Sequence, residues 1–436
     1  MQERLKLTVL FLSTLIVAYG LIGGLLEKVT AGEDPYRDLS VFTKVLDHVQ
    51  RDYVEQPDVE RALRGSLHGM MDSLDPFSSF IGRETYQRFA DQDYQAGAGL
   101  VLSKRYGYAH IVAATKGSPA DKNGLRSGDL IESIDGNPTV LMSLWEAEHR
   151  LRGDEDTTVE LRIIRSRPSK PQTVVLKRAT VEPPDVAARI AENELGIVEV
   201  PGLREGTSDL VRAKLNMLLA TDVKGILIDL RGAAEGQVQE AVAVADLFLS
   251  EGAEIGKVRS RVAVGEEFVS FSPPQVTEMP VVLLVDGGTS GAAEVLTAAL
   301  KDNGVAEVVG GRTNGHGSTQ EAFELKDGSV LLMSTKLFER PDGSLIQNEE
   351  LRKSGVKPDL RSPSQDFITS FYFDNSPDDI DAELDQDFYQ RLDEAIKVEQ
   401  FDSAVQHLKE KIRENREYLE EKAEYYQLNY DTKTCY

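Results

Sequence analysis

The most constraining stretch of this sequence is a short apolar run that leads directly into a turn and a helix. Val281–Val285 is aliphatic throughout and has the length of a buried strand, and Asp286–Gly288 supplies residues typical of a turn. Beyond the turn, apolar residues recur at the spacing of one helix face: Ala292, Val295, Leu296, Ala299 and Leu300. Backbone amides and the dipole at such a helix start favour negative charge. A reactive side chain at this strand-to-helix corner would therefore lie in a favourable electrostatic field.

The corner belongs to a longer alternation of strands and helices. Leu195–Val200 and Gly225–Leu230 are apolar runs of strand length. Between and after them, two sets of apolar residues have helical spacing: Leu210, Val211, Leu215, Leu218 and Leu219, then Val238, Ala241, Val242, Ala245 and Leu249. This alternation predicts an α/β layered core.

Ahead of that core, a series of glycine motifs resembles a PDZ domain. The motifs are Gly97–Leu100, Lys116–Ala120, Gly124–Ile131 and Ile134–Gly136, and the alternating strand Thr158–Arg165 follows them. A PDZ domain takes an extended peptide as an added strand, and backbone amides of a glycine-containing loop hold the terminal carboxylate. The resemblance therefore implies binding of protein C-termini.

The first of these motifs is the candidate peptide-binding loop. Gly97 and Gly99 allow the close backbone approach that a carboxylate needs, and Leu100 is a candidate wall of the side-chain pocket. Alternatively, the glycines serve only a tight strand start, and Leu100 is a core residue. The binding hypothesis predicts that a bulky substitution at Gly99 reduces the affinity for tail peptides.

At the strand-to-helix corner, the chain resembles the C-terminal processing peptidases, also called tail-specific proteases. That family carries Ser-Ala-Ser-Ala-Ser-Glu with the nucleophile at the middle serine, Gly-Lys-Gly with the lysine base, and a glutamine four residues after the lysine. The matching stretches here are Thr289–Glu294, Gly315–Gly317 and Gln320. This register places Gly291 at the nucleophile position and His316 at the lysine position.

The oxyanion region of the family is altered as well. Asp229–Arg231 matches a family motif that an asparagine, a proline and paired glycines follow, and the resemblance implies that their backbone helps to bind the oxyanion. Here the following residues are Gly-Ala-Ala-Glu-Gly, so Gly232, Gly236 and Gly291 are the candidate oxyanion residues. Glu235 would bring a carboxylate close to the position where negative charge develops during acyl transfer, which opposes the usual stabilisation.

Glycine has no nucleophilic atom, and two hypotheses follow. In the first, the chain is a pseudoprotease that keeps the fold and the peptide binding without the chemistry, because function depends on the site and not on the fold. In the second, Ser290 is the nucleophile of an active serine endopeptidase, His316 is its general base, and Gln320 or Asp302 orients the imidazole. A shift of one residue on a helix turns the side chain by about 100°, which disfavours the second hypothesis.

Each of these residues also has a simpler interpretation. Ser290 or Thr289 would be an N-cap that stabilises the helix by about 1 kcal/mol. His316, between two glycines, would be a loop residue. Asp302 precedes Asn303-Gly304 and would be part of a turn.

The N-terminal segment predicts a membrane anchor. Leu7–Leu26 holds twenty residues without a charged side chain, about the length that spans a bilayer core. Arg4 and Lys6 precede it and favour a cytoplasmic N-terminus, with the bulk of the chain on the periplasmic or extracytoplasmic side of the inner membrane. A cleaved signal peptide is the alternative, because Val29–Ala31 could serve as a small-residue cleavage site.

Charge and composition argue against several function classes. The net charge of −24, from 73 acidic and 49 basic residues, disfavours a nucleic-acid partner. Cys435 is the single cysteine, so no intrachain disulfide can form. The 6 histidines lack zinc-ligand spacing, and we expect neither a metal nor another cofactor.

These observations predict five regions along the chain: a signal anchor (1–28), a helical N-terminal region (32–92), a PDZ domain (93–182), a peptidase-like core (183–362) and an acidic helical C-terminal region (363–436). The family resemblance covers residues 40–360, roughly, and implies a crotonase-like (ClpP/crotonase-type) form of the α/β core. The predicted protein is a membrane-anchored homologue of the C-terminal processing peptidases that binds protein C-termini and is catalytically degenerate.

The C-terminal region has a pattern of its own. An acidic run, Asp378–Asp387, precedes a helical stretch with an apolar stripe: Leu392, Ala395, Ile396, Val405, Leu408 and Ile412. Such a stripe packs either on the core of its own chain or on a partner chain. Because family members assemble through terminal helices, the resemblance implies a homodimer, or a hetero-oligomer with an active paralogue.

Overall fold

The computed structural model describes residues 35–165, 171–192, 194–262, 265–276, 279–348, 353–362 and 386–431. The predicted anchor at 1–28, most of the acidic run 378–387, and Cys435 lie outside these ranges. Among the described residues, no helix combines the length and the apolar character needed to cross a bilayer. The chain divides into two compact units, Met1–Leu67 and His68–Tyr436.

The first unit contains helix α1 (Pro35–Asp52) and most of helix α2 (Val59–Asp72). Apolar residues recur on α1 at the helical spacing seen in the sequence. Leu39, Phe42 and Val45 of this stripe are exposed. The stripe is therefore not part of a core among the described residues.

In the second unit, a turn held by Asp75 follows the end of α2. The Asp75 carboxylate accepts the backbone N–H groups of Phe77 and Ser78, both at 2.8 Å. Strand β1 (Ser79–Ile81) and helix α3 (Arg83–Phe89) follow. The turn directs the Phe77 side chain into the hydrophobic core of the PDZ-like module.

The PDZ-like module contains two sheets and a helix packed on the larger sheet. Its strands are β2 (Ala96–Gly97), β3 (Leu100–Arg105), β4 (Tyr108–Ala114), β5 (Leu130–Ile134), β6 (Asn137–Pro138), β7 (Arg152–Gly153), β8 (Thr158–Ile164), β9 (Gln172–Lys177) and β10 (Ala179–Thr180). Its helices are α4 (Pro119–Lys122) and α5 (Leu144–Leu151), with a 3-10 turn at Thr139–Leu141. The strand orders are β3-β4-β5-β8-β9, with β6 beside β5, and β10-β2-β7.

The core of this module follows the predicted alternation along β8. Val159, Leu161 and Ile163 are buried, and the residues between them face solvent. They pack in one cluster with Leu144 and Leu151 of α5. The helix therefore lies against the sheet.

The peptidase-like core is a layered α/β structure. Its strands are β11 (Ala187–Ala191), β12 (Leu195–Glu199), β13 (Gly225–Asp229), β14 (Glu254–Ser260), β15 (Glu267–Val269), β16 (Val281–Val285), β17 (Ala306–Gly310), β18 (Ser318–Glu324), β19 (Val330–Glu339) and β20 (Leu360–Arg361). Its helices are α6 (Thr207–Leu219), α7 (Val238–Ala245), α8 (Ala292–Asp302) and α9 (Gln386–Asp431). The main sheet has the order β11-β12-β13-β16-β17-β20, and only β11 runs antiparallel to its neighbour. A second sheet has the order β1-β19-β14-β15, with β18 also paired to β19.

Strand β16 is buried on both faces, which explains its continuous apolar sequence. Val281, Leu283 and Val285 belong to the cluster that contains α6, α7 and α8. Val282 and Leu284 point the other way, into a cluster with α9. The strand-to-helix corner therefore stands on the centre of the sheet.

Helix α9 covers the second face of the main sheet. Ala404, Val405, Leu408 and Ile412 pack on the sheet in one cluster. Gly225 permits this approach, because an added Cβ would lie 2.8 Å from Cδ1 of Leu408. Val405, Leu408 and Ile412 of the predicted apolar stripe thus pack on the core of their own chain, whereas the side chains of Leu392 and Ala395 lie outside the described residues.

Candidate functional site

Gly291 occupies the corner between β16 and α8. It is the N-cap of α8, with φ +60° and ψ −119°, a conformation that residues other than glycine adopt only under strain. A strained strand-to-helix turn is the geometry with which many serine hydrolases expose their nucleophile. A Cβ added at Gly291 would meet no other atom within 4 Å. The corner therefore has the backbone and the space for a nucleophile, but no reactive atom.

The buried carboxylate of Glu294 holds this corner together. It accepts hydrogen bonds from the N–H of Gly291 at 3.1 Å, of Gly315 at 2.7 Å and of His316 at 2.8 Å. The hydroxyl of Thr313 donates to it as well. Burial raises the pKa of Glu294 to about 7, although these donors favour its ionised form. Glu294 thus fixes the nucleophile position relative to the loop of the family's lysine.

His316 lies in that loop, but its imidazole is packed rather than free. The ring stacks on Phe77, with 3.9 Å between the centroids and 14° between the planes. Its Nε2 is buried and has no hydrogen-bond partner among the described atoms. Burial lowers the pKa of His316 to about 4, against the opposing charge of Asp75. At neutral pH the imidazole is therefore uncharged and a weak proton acceptor.

The structure does not assemble the predicted pair of Ser290 and His316. Ser290 is only 2 % exposed, and its Oγ accepts a hydrogen bond from Nδ2 of Asn314 at 3.0 Å. The Ser290 N–H donates to the Ala233 carbonyl at 3.0 Å. The hydroxyl therefore bonds to a neighbouring loop residue and not to a base.

The N-cap interpretation of Ser290 and Thr289 is wrong, because Gly291 occupies that position. Thr289 instead joins neighbouring turns. Its Oγ1 donates to the Leu230 carbonyl at 2.8 Å and accepts the N–H of Asp286 at 3.1 Å. The helix start is held by Glu294 and not by a preceding hydroxyl.

Neither residue proposed to orient the imidazole bonds to it in the structure. Gln320 lies on β18 and donates from Nε2 to Oγ of Ser318 at 2.8 Å and of Ser334 at 3.2 Å. Asp302 ends α8, roughly 16 Å along the helix axis from Gly291. There it pairs with Arg340, with 3.0 Å to Nε. The role predicted for Asp302 is therefore wrong, since the helix carries it away from the corner.

Two of the three candidate oxyanion residues lie at the corner. The N–H of Gly232 donates to Oδ1 of Asp286 at 3.0 Å, and the Gly291 N–H donates to Glu294. Both amides thus face carboxylates of the protein itself. Gly236 pairs with Leu203, whose carbonyl oxygen would be 2.3 Å from an added Cβ, and no contact joins it to the corner among the described residues.

The carboxyl of Asp286 lies between two turns. Besides Gly232, it accepts the N–H of Gly288 at 2.9 Å. Burial raises the pKa of Asp286, and the nearby charge of Asp229 adds to this, whereas the Gly232 amide and the charge of Arg231 oppose it. An oxyanion at this position would compete with a carboxyl that already holds the amide.

The PDZ-like module touches this corner at two points. The Val112 carbonyl of β4 would be 3.2 Å from a Cβ added at Gly288. Phe77 is buried in the PDZ-like core on one side and stacks on His316 on the other. Phe77 and Asn314 were not identified as site residues from the sequence, and Asp286 was assigned only to a turn.

The candidate peptide-binding loop has a fixed shape. Gly99 has φ +74°, and an added Cβ would lie 2.2 Å from Cβ of Ser118. Its carbonyl accepts the N–H of Thr115 at 2.9 Å. Gly97 lies in β2 and pairs with Ala179 of β10 and Arg152 of β7, and Leu100 begins β3. Gly99 therefore fixes the backbone of the connection between β2 and β3.

We found no group of His, Cys, Asp and Glu side chains that could hold a metal ion in the part of the chain that the structure describes. The carboxyl groups of Asp286 and Glu294 at the corner instead accept hydrogen bonds from backbone N–H groups.

Comparison with known proteins follows the same division of the chain. The model of peptidase family S41 matches residues 194–362, and the PDZ domain model matches residues 110–165. The carboxy-terminal processing protease CtpA of Bacillus subtilis is 28% identical over 386 residues, which cover 86% of this chain and 80% of that protein. The carboxy-terminal-processing protease of Bartonella bacilliformis is 30% identical over 335 residues, which cover 75% of this chain and 76% of that protein.

A solved structure shares the fold. The photosystem II D1 C-terminal processing protease aligns with a TM-score of 0.61 at 24% sequence identity. The alignment covers 73% of this chain and 92% of that chain.

Proposed function

The chain belongs to the carboxy-terminal processing proteases of peptidase family S41, and from this premise we propose that it is a degenerate member that binds protein C-termini without cleaving them. The observation that carries the proposal is the corner at Gly291. Its backbone is that of a nucleophile turn, yet no side chain extends from it. Without an attacking atom at this position, the serine chemistry of the family has no first step.

The residues around Gly291 support the same conclusion. A lysine base is replaced by His316, whose ring is stacked on Phe77 and whose pKa is lowered to about 4 by burial. The N–H groups of Gly232 and Gly291 already donate to carboxylates. The candidate base and the candidate oxyanion donors therefore already make contacts within the protein.

Binding of protein tails is assigned to the PDZ domain. Gly97, Gly99 and Leu100 span the connection from β2 to β3, where we place the carboxylate-binding loop. A peptide carboxylate would bind backbone amides there, and the peptide would extend along β3. We assign residues 93–182 to this domain and residues 183–362 to the peptidase core, which we take to be crotonase-like.

The cellular setting belongs to the proposal as well. The uncharged run Leu7–Leu26 would anchor the chain in the inner membrane, with the bulk of the protein on the periplasmic or extracytoplasmic side. A binding protein placed there would present tails to, or withhold them from, an active paralogue in a hetero-oligomer, or act as a homodimer. Detergent extraction and protease accessibility in intact cells test this placement.

The decisive experiment measures cleavage and binding in the same preparation. The full-length chain, its Ser290→Ala variant and a Gly291→Ser/His316→Lys double variant are incubated with an unstructured protein and with peptides that have a free C-terminus. We expect wild type to bind the peptides without cleaving them, and to lose binding when the peptide terminus is amidated. Cleavage by wild type that Ser290→Ala abolishes would instead establish an active peptidase with a relocated nucleophile.

A further inference from the structure

Strand β18 has an open edge next to the degenerate site. It begins two residues after His316 and pairs with β19 on one side. On its other side, no strand is paired with it in the described ranges. From Glu321 to Glu324 every side chain is exposed, on both faces of the strand. An unpaired strand of this kind is a template for a further strand.

The hairpin between β18 and β19 identifies the backbone groups at the open edge. The N–H of Leu325 donates to the Ser329 carbonyl at 2.8 Å, which makes this a hydrogen-bonded pair. Antiparallel strands alternate between hydrogen-bonded and non-bonded pairs, so Phe323 and Glu321 bond to β19. Ala322 and Glu324 therefore direct their N–H and C=O groups outward, away from β19.

The side chains along this edge favour a particular kind of partner. Phe323 is 40 % exposed and Leu325 is 37 % exposed, on the face that also carries Glu321. Glu324 has no ion-pair partner among the described residues, whereas Glu321 pairs with Lys336 at 3.2 Å. Cross-strand neighbours that complement these side chains are apolar opposite Phe323 and basic opposite the glutamates.

We infer that the outer edge of β18 binds an extended polypeptide segment with basic and apolar residues, as an added strand. A second copy of this chain fits less well, because β18 contains no basic residue that antiparallel self-pairing could place opposite Glu324. The net charge of −24 favours a basic segment in the same way. This site uses backbone groups of β18 and is separate from the PDZ loop.

A capped peptide isolates this site from tail binding. The probe is fluorescent acetyl-Thr-Lys-Val-Thr-Lys-Val-amide, which has no terminal carboxylate, titrated with the full-length chain and followed by anisotropy. We expect saturable binding that weakens at least about tenfold in Ala322→Pro, because proline removes an outward N–H without touching the β19 ladder. Ala322→Thr keeps the N–H and is the matched control, expected to bind like wild type.

Charge reversal provides a second variant should proline disturb the hairpin. Glu324→Lys should weaken binding of the lysine probe several-fold and strengthen binding of a probe in which both lysines are replaced by glutamate. The inference is overturned if the capped probe shows no saturable binding, or if both variants bind it like wild type. A wild-type dimer that Ala322→Pro dissociates would also overturn it, in favour of self-pairing. If wild type binds the capped probe but not peptides with a free C-terminus, the proposed function is contradicted and this inference is not.

Discussion

The nucleophile corner and the PDZ loop are both built on glycine, yet glycine has opposite consequences in the two places. At Gly291 an added Cβ would meet no other atom within 4 Å, whereas at Gly99 it would lie 2.2 Å from Cβ of Ser118. The corner has room for a side chain that the sequence does not supply. The PDZ loop has a backbone that leaves no room for one.

Under the proposed function, this difference explains how a fold could lose one function and keep another. Peptidase chemistry in this family depends on side-chain atoms, so the framework can persist after the reactive atoms are gone. Carboxylate capture by a PDZ loop depends on backbone amides, so it lasts as long as the loop keeps its shape. The strongest remaining element of the corner is accordingly a structural one, the buried carboxylate of Glu294.

The largest effect is expected where that carboxylate is removed. Glu294→Ala leaves four donors without their acceptor in a buried site, and we expect a loss of about 4 kcal/mol in the free energy of unfolding. Urea denaturation followed by circular dichroism measures the loss. The exposed Glu324→Ala is the control and should change stability by less than about 0.5 kcal/mol. Equal stabilities of the two variants would mean that the corner does not depend on Glu294.

The framework around Glu294 was accessible from the sequence, because it is encoded in local patterns. The run Val281–Val285 and the helical spacing after it correctly predicted β16 and α8. The alternation in Thr158–Arg165 correctly predicted β8. Periodicity reports which residues face a core, and the core in both domains follows it.

The contacts inside the site were not accessible in the same way, because they join residues far apart in the chain. The stack of His316 on Phe77 and the bond from Asn314 to Ser290 depend on how separate elements pack. Asp302 was assigned to the site from its residue type alone, and the helix geometry instead brings it to Arg340. Motif register predicts which position is reactive, but not which partner a side chain meets.

Acid should weaken both regions through a buried histidine in each. Burial lowers the pKa of His110, in the PDZ domain, and of His316, at the corner, to about 4. The unfolded chain takes up these protons near pH 6.5, so stability is full above that pH and falls as the pH drops to 4, by up to about 3 kcal/mol per histidine. Glu148 and Glu294, whose pKa values burial raises to about 7, contribute the opposite slope.

The pH dependence of unfolding is compared between wild type and each histidine variant. Because both proteins contain the same carboxyls, the difference reports the contribution of the histidine alone. His110→Gln and His316→Gln should each flatten the fall in stability between pH 6.5 and 4, measured by urea denaturation at several pH values. A slope that neither substitution changes would show that the imidazoles are not held neutral in the fold.

Alanine at the two glycines tests the comparison directly. Gly99→Ala must move Ser118 as well as strain a backbone with φ +74°, and we expect a loss of about 3 kcal/mol. Gly291→Ala has free space and should cost only the backbone strain, about 1 to 2 kcal/mol. Thermal unfolding of the two variants gives the ranking, and a costlier Gly291→Ala would contradict the idea of an open corner. Gly99 variants therefore report on folding, and amidated peptides are the cleaner test of tail binding.

The smallest effect is expected at Ser290, where the two hypotheses about the corner diverge most. As a turn residue, Ser290 only accepts a hydrogen bond from Asn314, so Ser290→Ala should cost about 1 kcal/mol and leave tail binding unchanged. Asn314→Ala should cost a similar amount, and the double variant should cost less than the sum, because both changes remove the same bond. Additive losses would place the Ser290 hydroxyl with another partner. Peptide titration of the same variants completes the comparison. We expect unchanged affinity, because the PDZ loop binds the peptide through its backbone and the Ser290 hydroxyl makes no contact with that loop among the described residues.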